Sequence, residues 1–346
     1  MHMRIYKIAA INLGSTSTKI AYYENENCVF KDNIVHTARA LEGFSTIWEQ
    51  FEFRKQAIEA YLKEKGILIS GLDAVVTRGG HTEPIVGGVY RITRKMLEQS
   101  ASEKYGNHAT DLGLKLAYEF SAQGPQAFTV DPPTTDEFEA LARYSGLPQI
   151  KRRSSFHVLN HRAAGRQYAK DSGKDYRDLN LVVIHMGGGI SIAAHKKGRL
   201  VDANNAIDGD GPFSTNRCCS VPIGDLIKMC YSGTYTYPEI RRLINGNAGL
   251  MAYVGENDVK TVEERAAGGD QACGEALDAM CYQIAKEVGA AATVLMGEVD
   301  AIVFTGGIAH SKRIVDSVSR RVSFIAPIAV YPGEYEMQSL GLNTLA

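Results

Sequence analysis

The sequence predicts an α/β fold made of two similar lobes, and two observations carry that expectation. Short apolar runs of strand length alternate with segments of helical period along the chain. A pattern near the N-terminus also returns in the second half: residues 8–27 read strand, small-residue turn, strand, polar turn, and residues 181–199 read the same way. Asn12 and His185 hold equivalent places in the two copies, half of the 346-residue chain apart. A chain of that length exceeds what one core usually holds, which independently favours two domains.

Taken in order, residues 4–13 and 18–23 are two strands joined by Gly14-Ser15-Thr16-Ser17. Residues 45–64 form a helix, with Ile47, Phe51, Ala57, Ile58 and Leu62 at helical spacing. Residues 72–77 are a short buried strand ending at Arg78-Gly79-Gly80. Helices follow at 95–101 and 111–122, then a buried strand, 127–130, that ends at Asp131-Pro132-Pro133. In the second half, strand 181–186 runs into Gly187-Gly188-Gly189, and 190–195 returns from it. A long helix at 274–296 and a strand at 301–304 lead to Thr305-Gly306-Gly307. Residues 147–153 read as the linker. The lobes are expected at 1–150, completed by 332–346, and at 151–331.

Composition narrows the function. The 38 basic and 39 acidic residues leave a net charge of −1, so no overall positive field exists to hold nucleic acid or an anionic membrane. The six cysteines form no C-x-x-C pair, which suits a reduced, intracellular setting. No run approaches the ~20 apolar residues of a membrane span, so a cytoplasmic protein is expected.

Three strands end in turns of glycine and hydroxyl residues, at 12–17, 187–189 and 305–307. Such turns expose backbone N–H groups and short donors with little bulk in the way, a surface that suits phosphate oxygens. Any one of them alone is also an ordinary hairpin turn. Three in one chain, two of them at matching places, favour phosphate. The chain has no G-x-x-x-x-G-K-[ST] stretch, so it is not a P-loop protein.

These stretches resemble the signatures of the acetate kinase family. Asn12-Leu13-Gly14-Ser15-Thr16-Ser17-Thr18-Lys19 looks like the first, N-x-G-S-[ST]-S-x-K, and His185-Met186-Gly187-Gly188-Gly189-Ile190-Ser191 looks like the second, H-x-G-x-G-x-S. Thr305-Gly306-Gly307-Ile308 resembles the adenosine-binding turn. Within the family, Val76-Thr77-Arg78-Gly79-Gly80, Asn107-His108-Ala109, Asp131-Pro132-Pro133 and residues 151–161 look like the butyrate kinase branch. The resemblance covers essentially the whole chain. It implies the actin-like, ribonuclease H-like ATPase fold of two duplicated lobes. It also implies ATP or ADP with Mg²⁺ in an interlobe cleft, and a homodimer or higher homo-oligomer.

The implied reaction joins ATP and a short-chain carboxylate to give an acyl phosphate and ADP. A carboxylate is already an anionic nucleophile, so the site needs cations and hydrogen-bond donors rather than a general base. Arg217 matches the family arginine, which implies contact with the transferring phosphoryl group. Arg78, at a strand end beside two glycines, is expected to pair with the substrate carboxylate through its planar fork. His157 matches the family Phe-His position and is expected to bond the phosphoryl group. His185, at the second phosphate turn, is expected to face the phosphates. His108 and His161 match weaker positions. Asn12, Gly14, Ser15, Ser17 and Lys19 form the first cradle, Gly187, Gly188 and Gly189 the second, and Gly306 and Gly307 the adenosine turn. Asp131 and Glu334 are expected to serve Mg²⁺, partly through water, with Glu336 competing for the second place. Asp208 and Asp210 read first as turn residues, and Cys218-Cys219 as packing. Ile85, Val86, Val89 and Tyr90, around Gly87-Gly88, are the expected wall of an acid pocket that favours four-carbon acids over acetate. A sugar kinase on the same fold, with Asp131 as base, and a nucleotide-switched ATPase module are the rival readings.

Overall fold

The computed structural model describes residues 4–345; residues 1–3 and 346, the outer ends of the expected lobe spans, lie outside it. Two hairpins organise the chain. The first joins Lys7–Leu13 (β1) to Ser17–Glu24 (β2), with Asn27–Val35 (β3) returning along β2. Ala74–Thr77 (β4) and Gln126–Val130 (β6) add parallel strands on the other side of β1, and Val89–Arg91 (β5) closes the edge antiparallel to β6. The sheet order is β3-β2-β1-β4-β6-β5.

The second hairpin pairs Asn180–Met186 (β7) with Ile190–Lys196 (β8), followed by Arg199–Ala203 (β9). Ala301–Gly306 (β10) and Ile328–Pro332 (β11) extend it in parallel, giving the order β11-β10-β7-β8-β9. The two sheets share one plan, a central strand with an antiparallel hairpin on one side and two parallel strands on the other, to which the first sheet adds the antiparallel edge strand β5. Shifting by 173 residues carries Lys7 to Asn180 and Leu13 to Met186, the bounds of β7. The duplication expected from the sequence is therefore present in register.

β1 and β7 are buried on both faces, as central strands between helical layers must be. Ala9, Ile11 and Leu13 face the helices Phe51–Glu64 and Asp111–Ser121, in a core with Ile58, Leu112, Leu116 and Phe120. On the opposite face, Tyr23 meets Gly341 of the helix Glu336–Leu345. The second sheet packs against the 24-residue helix Gln271–Val294 through Leu277, Met280, Ile284 and Val288. Each sheet also carries a helix that follows the last parallel strand of the other in sequence. Val158–Ser172, after β6, packs on β7 and β10; Glu336–Leu345, after β11, packs on β1, β2, β4 and β6. The compact units are accordingly Met1–Asp136 with Tyr335–Ala346, and Glu137–Glu334.

The expected helix at 45–64 begins instead at Phe51, after a 3₁₀ turn at Trp48–Gln50. Glu49 reaches back to accept the backbone N–H of Ser45 at 2.7 Å, a local bond that competes with helix there. Between 204 and 270 the sequence suggested no elements. The structure has four short helices, Ile223–Cys230, Tyr237–Ile244, Gly249–Val254 and Val259–Ala267. Helices of six to nine residues span too few turns for a period to stand out. Among the described residues no helix is long and apolar enough to cross a membrane.

Candidate active site

In the first unit the candidate groups gather at the carboxyl ends of β1, β4 and β6, the usual ligand-binding edge of such a sheet. The hairpin tip is held from below by its own carbonyls. Arg54 donates from Nη1 to Gly14 O at 2.8 Å and from Nη2 to Ser15 O at 2.7 Å. Thr16 O takes the N–H of His36, and Ser17 O takes that of Gly14, each at 2.8 Å. Four consecutive carbonyls are thus tied to protein donors, while the Ser15 and Thr16 side chains stay exposed. Arg54 is fully buried on the apolar side of its helix, in phase with Phe51, Ile58 and Leu62. The sequence reading missed it, although a charged residue at that spacing was the available signal. Lys19 sits across the hairpin from Asn12.

Glu336, the first residue of the last helix, joins two of these strand ends. It accepts from Asn12 Nδ2 at 2.8 Å and pairs with Arg78 Nη1 at 3.4 Å. Asn12 Oδ1 and Arg78 Nε are buried with no partner among the described residues. An orphaned acceptor and an orphaned guanidinium donor this close to one carboxylate suit a polar ligand. Asp131, after β6, is buried and holds a left-handed backbone, φ 41°, with its N–H on Gly88 O. His108 lies 3.2 Å from Ser15 Oγ. Burial first, then the nearby Arg78, pushes its imidazole below the usual range, so it is neutral at pH 7. Asp111 pins these loops. Burial alone would raise its carboxyl, but His81 through its ring and N–H, and His108 through its N–H, hold it low.

In the second unit, His157 and His185 stack with ring centroids 3.9 Å apart. Ser191 bridges His157 Nδ1 at 2.9 Å and His161 Nε2 at 2.8 Å, so one hydroxyl orients both rings. His161 is fully buried, and burial keeps it well below the ordinary histidine range. It acts beneath the site, and His157 and His185 lie nearer the turn.

Arg217 packs against the 187–189 turn. Its Nη1 donates to Ala206 O at 2.5 Å, and its Nε is buried without a partner among the described residues. A side chain at Gly189 would run into Nη1 and the Ala206 carbonyl. Gly189 therefore makes room for the arginine, a role the sequence did not suggest. Gly306 has φ 89°, and a Cβ there would strike the Met186 backbone, so the ends of β7 and β10 meet only through glycine. Beyond them opens a cavity of about 550 Å³ lined by Gly187, Gly188, Asn216, Asp258, Lys260, Glu263, Gly307 and His310. That size suits a nucleoside. Asn216 Oδ1 is another buried acceptor with no partner among the described residues. Lys260, Glu263 and His310 were not foreseen, since they come from helices and turns outside the motifs.

The remaining candidates are held in other contacts. Glu334 is exposed and belongs to the second unit, whereas Glu336 belongs to the first. Asp208 pairs with Arg241 and Asp210 with Arg152, as turn residues would. Burial pushes the Cys219 thiol up to about 12, which leaves it a packing residue. Val86 and Val89 are exposed on the first unit, and Tyr90 donates to Val86 O at 2.6 Å. Among the described residues no three histidine, cysteine or acidic side chains converge as a metal site.

The profile of the acetokinase family matches residues 140–331. Butyrate kinase 2 of Clostridium acetobutylicum is 48% identical, over 98% of this chain and 96% of its own. Butyrate kinase 1 of the same organism is 46% identical, over 99% and 97%. Among solved structures, Porphyromonas gingivalis acetate kinase superposes with a TM-score of 0.81 over 96% of this chain and 98% of its own, at 20% identity. That likeness shows the actin-like ATPase fold expected from the sequence. With a matching profile and near-half identity to relatives along their whole length, the chain belongs to the acetokinase family.

Proposed function

We propose that this protein is a butyrate kinase, which moves the γ-phosphoryl group of ATP to butyrate or a branched short-chain acid, giving the acyl phosphate and ADP, and catalyses the reverse. The observation that carries the reading is the near-half identity with two butyrate kinases over almost the full length of both chains. The clustered arginine, asparagine and histidine side chains support it, because they suit an anionic acceptor that needs no general base. A sugar hydroxyl would need a carboxylate base within reach of its proton.

In this reading the adenosine occupies the cavity beyond Gly187 and Gly307, with Asn216 accepting from it. Gly187, Gly188, Gly189 and Gly306 let backbone approach the phosphates, and Asn12, Gly14, Ser15, Ser17 and Lys19 form the other cradle. Arg78 orients the substrate carboxylate. Arg217 and His157 stabilise the charge on the transferring phosphoryl group, and His185 donates to a phosphate oxygen. Mg²⁺, when bound, neutralises phosphate charge; it keeps several waters and needs only one or two carboxylates. Asp131 fits that donor set, and Glu336 suits it better than Glu334 because it already joins Asn12 and Arg78. Glu336→Gln is expected to raise the Mg²⁺ concentration needed for half-maximal rate, and Glu334→Gln to leave it unchanged. The opposite result would restore Glu334. Cytoplasmic location, expected from the composition, and homo-oligomeric assembly, which the motif resemblance implies, belong to the same reading; a sedimenting mass of one chain would remove the second.

The deciding experiment traps acyl phosphate as its hydroxamate, with ATP, Mg²⁺ and acetate, propionate, butyrate, isobutyrate or isovalerate. The expected signal peaks at the four- or five-carbon acids. A peak at acetate would keep the chemistry and overturn the acid. No signal with any acid would overturn the kinase reading.

A further inference from the structure

We infer that Asn160 is a positioning residue that fixes which ring nitrogen of His185 carries the proton, and so turns His185 into a donor toward the phosphate turn. The inference rests on the reading of His185 as a phosphate-facing group. Asn160 is fully buried, in the first turn of the helix Val158–Ser172. Its side-chain nitrogen lies 2.8 Å from His185 Nδ1 and 3.2 Å from Thr305 Oγ1. Thr305 settles the orientation of the amide. A threonine hydroxyl has one proton, and here it goes to Gly333 O at 3.3 Å. Toward Asn160 the hydroxyl can therefore only accept, so the group facing it is the NH₂. That NH₂ has no lone pair to offer, so His185 Nδ1 must be the unprotonated nitrogen.

The consequence is a defined neutral tautomer with its hydrogen on Nε2. That nitrogen lies beside the second glycine turn: an added Cβ at Gly187 would stand 3.3 Å from it. One amide thus ties β7 to β10 through His185 and Thr305, and sets the polarity of the imidazole between the two turns. A histidine in the other tautomer would present a lone pair to phosphate and repel it. Asn160 touches no reacting atom, so its effect is carried through His185.

The test is ¹⁵N NMR of protein labelled at histidine, with His185 assigned by its loss in His185→Gln. In the wild type, Nδ1 is expected to show the unprotonated shift and Nε2 the protonated one. A protonated Nδ1 would overturn the inference with no variant needed. Asn160→Asp replaces the donor by an acceptor and is expected to move the proton to Nδ1, lowering kcat about 10-fold or more with little change in the KM for ATP. Thr305→Val removes the group that orients the amide. It is expected to give a mixture of tautomers in a folded chain, so the inference stays open to refutation where Asn160→Asp does not fold. Either folded variant with an unchanged His185 spectrum would sink it. If instead the tautomer is as inferred but His185→Gln keeps full kcat, it is the functional reading of His185 that fails.

Discussion

Alanine at position 217 is expected to lower kcat about 10³-fold or more, the scale at which an arginine aimed at a transferring phosphoryl group acts. The expectation rests on how the side chain is held. Arg217 is half-buried against the 187–189 turn, with Nη1 anchored on the Ala206 carbonyl and Nε left without a partner among the described residues. Burial lowers its pKa, but a guanidinium does not lose its proton under these conditions, so a fixed charge with spare donors is presented. Thr215 and Asn216 line the nucleotide-sized cavity and Arg217 does not, so the KM for ATP is expected to move far less than kcat. Arg217→Lys keeps the charge but loses the fork, and is expected to recover only part of the rate. Gly189→Ala offers an independent route to the same defect, because its Cβ would displace the guanidinium without removing it. Wild-type kcat in Arg217→Ala, from protein that still binds ATP, would remove Arg217 from the mechanism.

What the sequence disclosed and what it concealed follow from the range of the interactions. The paired hairpins were legible because strand alternation and glycine-rich tips are local, and the offset of 173 residues needed only comparison of the two halves. His157, His185 and Arg217 were legible because they lie in or beside short stretches of recognisable order. Arg54 was not, since its role exists only where a helix passes beneath a turn 40 residues earlier. The choice between Glu334 and Glu336 depends on a hydrogen bond that spans 324 positions. Asn160 stood within the run 151–161 with no role of its own; its contacts with His185 of β7 and Thr305 of β10 exist only in the fold. Gly189 was read as a phosphate contact; that a side chain there would also run into Arg217 was not visible in the sequence. Motif position named the candidates, and only tertiary contact shows which groups surround each of them.

Acidification below neutrality is expected to destabilise the protein steeply, well before the carboxylates titrate. His161 and His195 are fully buried beneath the second sheet's hairpin. Burial, then the nearby Arg162, pushes His195 down to about 3, and burial keeps His161 well below its ordinary value. His36, buried against Thr18 in the first unit, is lowered by burial and then by Arg54. In the unfolded chain each of these rings titrates near 6.5. Above that pH both states are neutral and nothing is lost. Below it the unfolded chain takes up protons that the folded chain refuses, so stability falls with pH, for His195 by up to about 1.4 kcal/mol per pH unit. The loss for His195 runs from about 6.5 down to about 3, where the folded ring finally protonates. Asp111 acts in a lower window: its depressed pKa contributes stability above the ordinary carboxylate value that is lost only as pH falls below it. Urea unfolding midpoints between pH 7 and pH 4.5 therefore follow the histidines, offset in part by Glu287 and Asp202, whose carboxyls burial raises and which add stability as pH falls. His195→Gln keeps a polar group near Tyr176, whose hydroxyl lies 2.9 Å from His195 Nδ1. It is expected to flatten the pH slope by one proton while lowering stability at pH 7. A wild-type midpoint that stays level from pH 7 to pH 4.5 would mean that these rings gain protons, and partners for them, without unfolding.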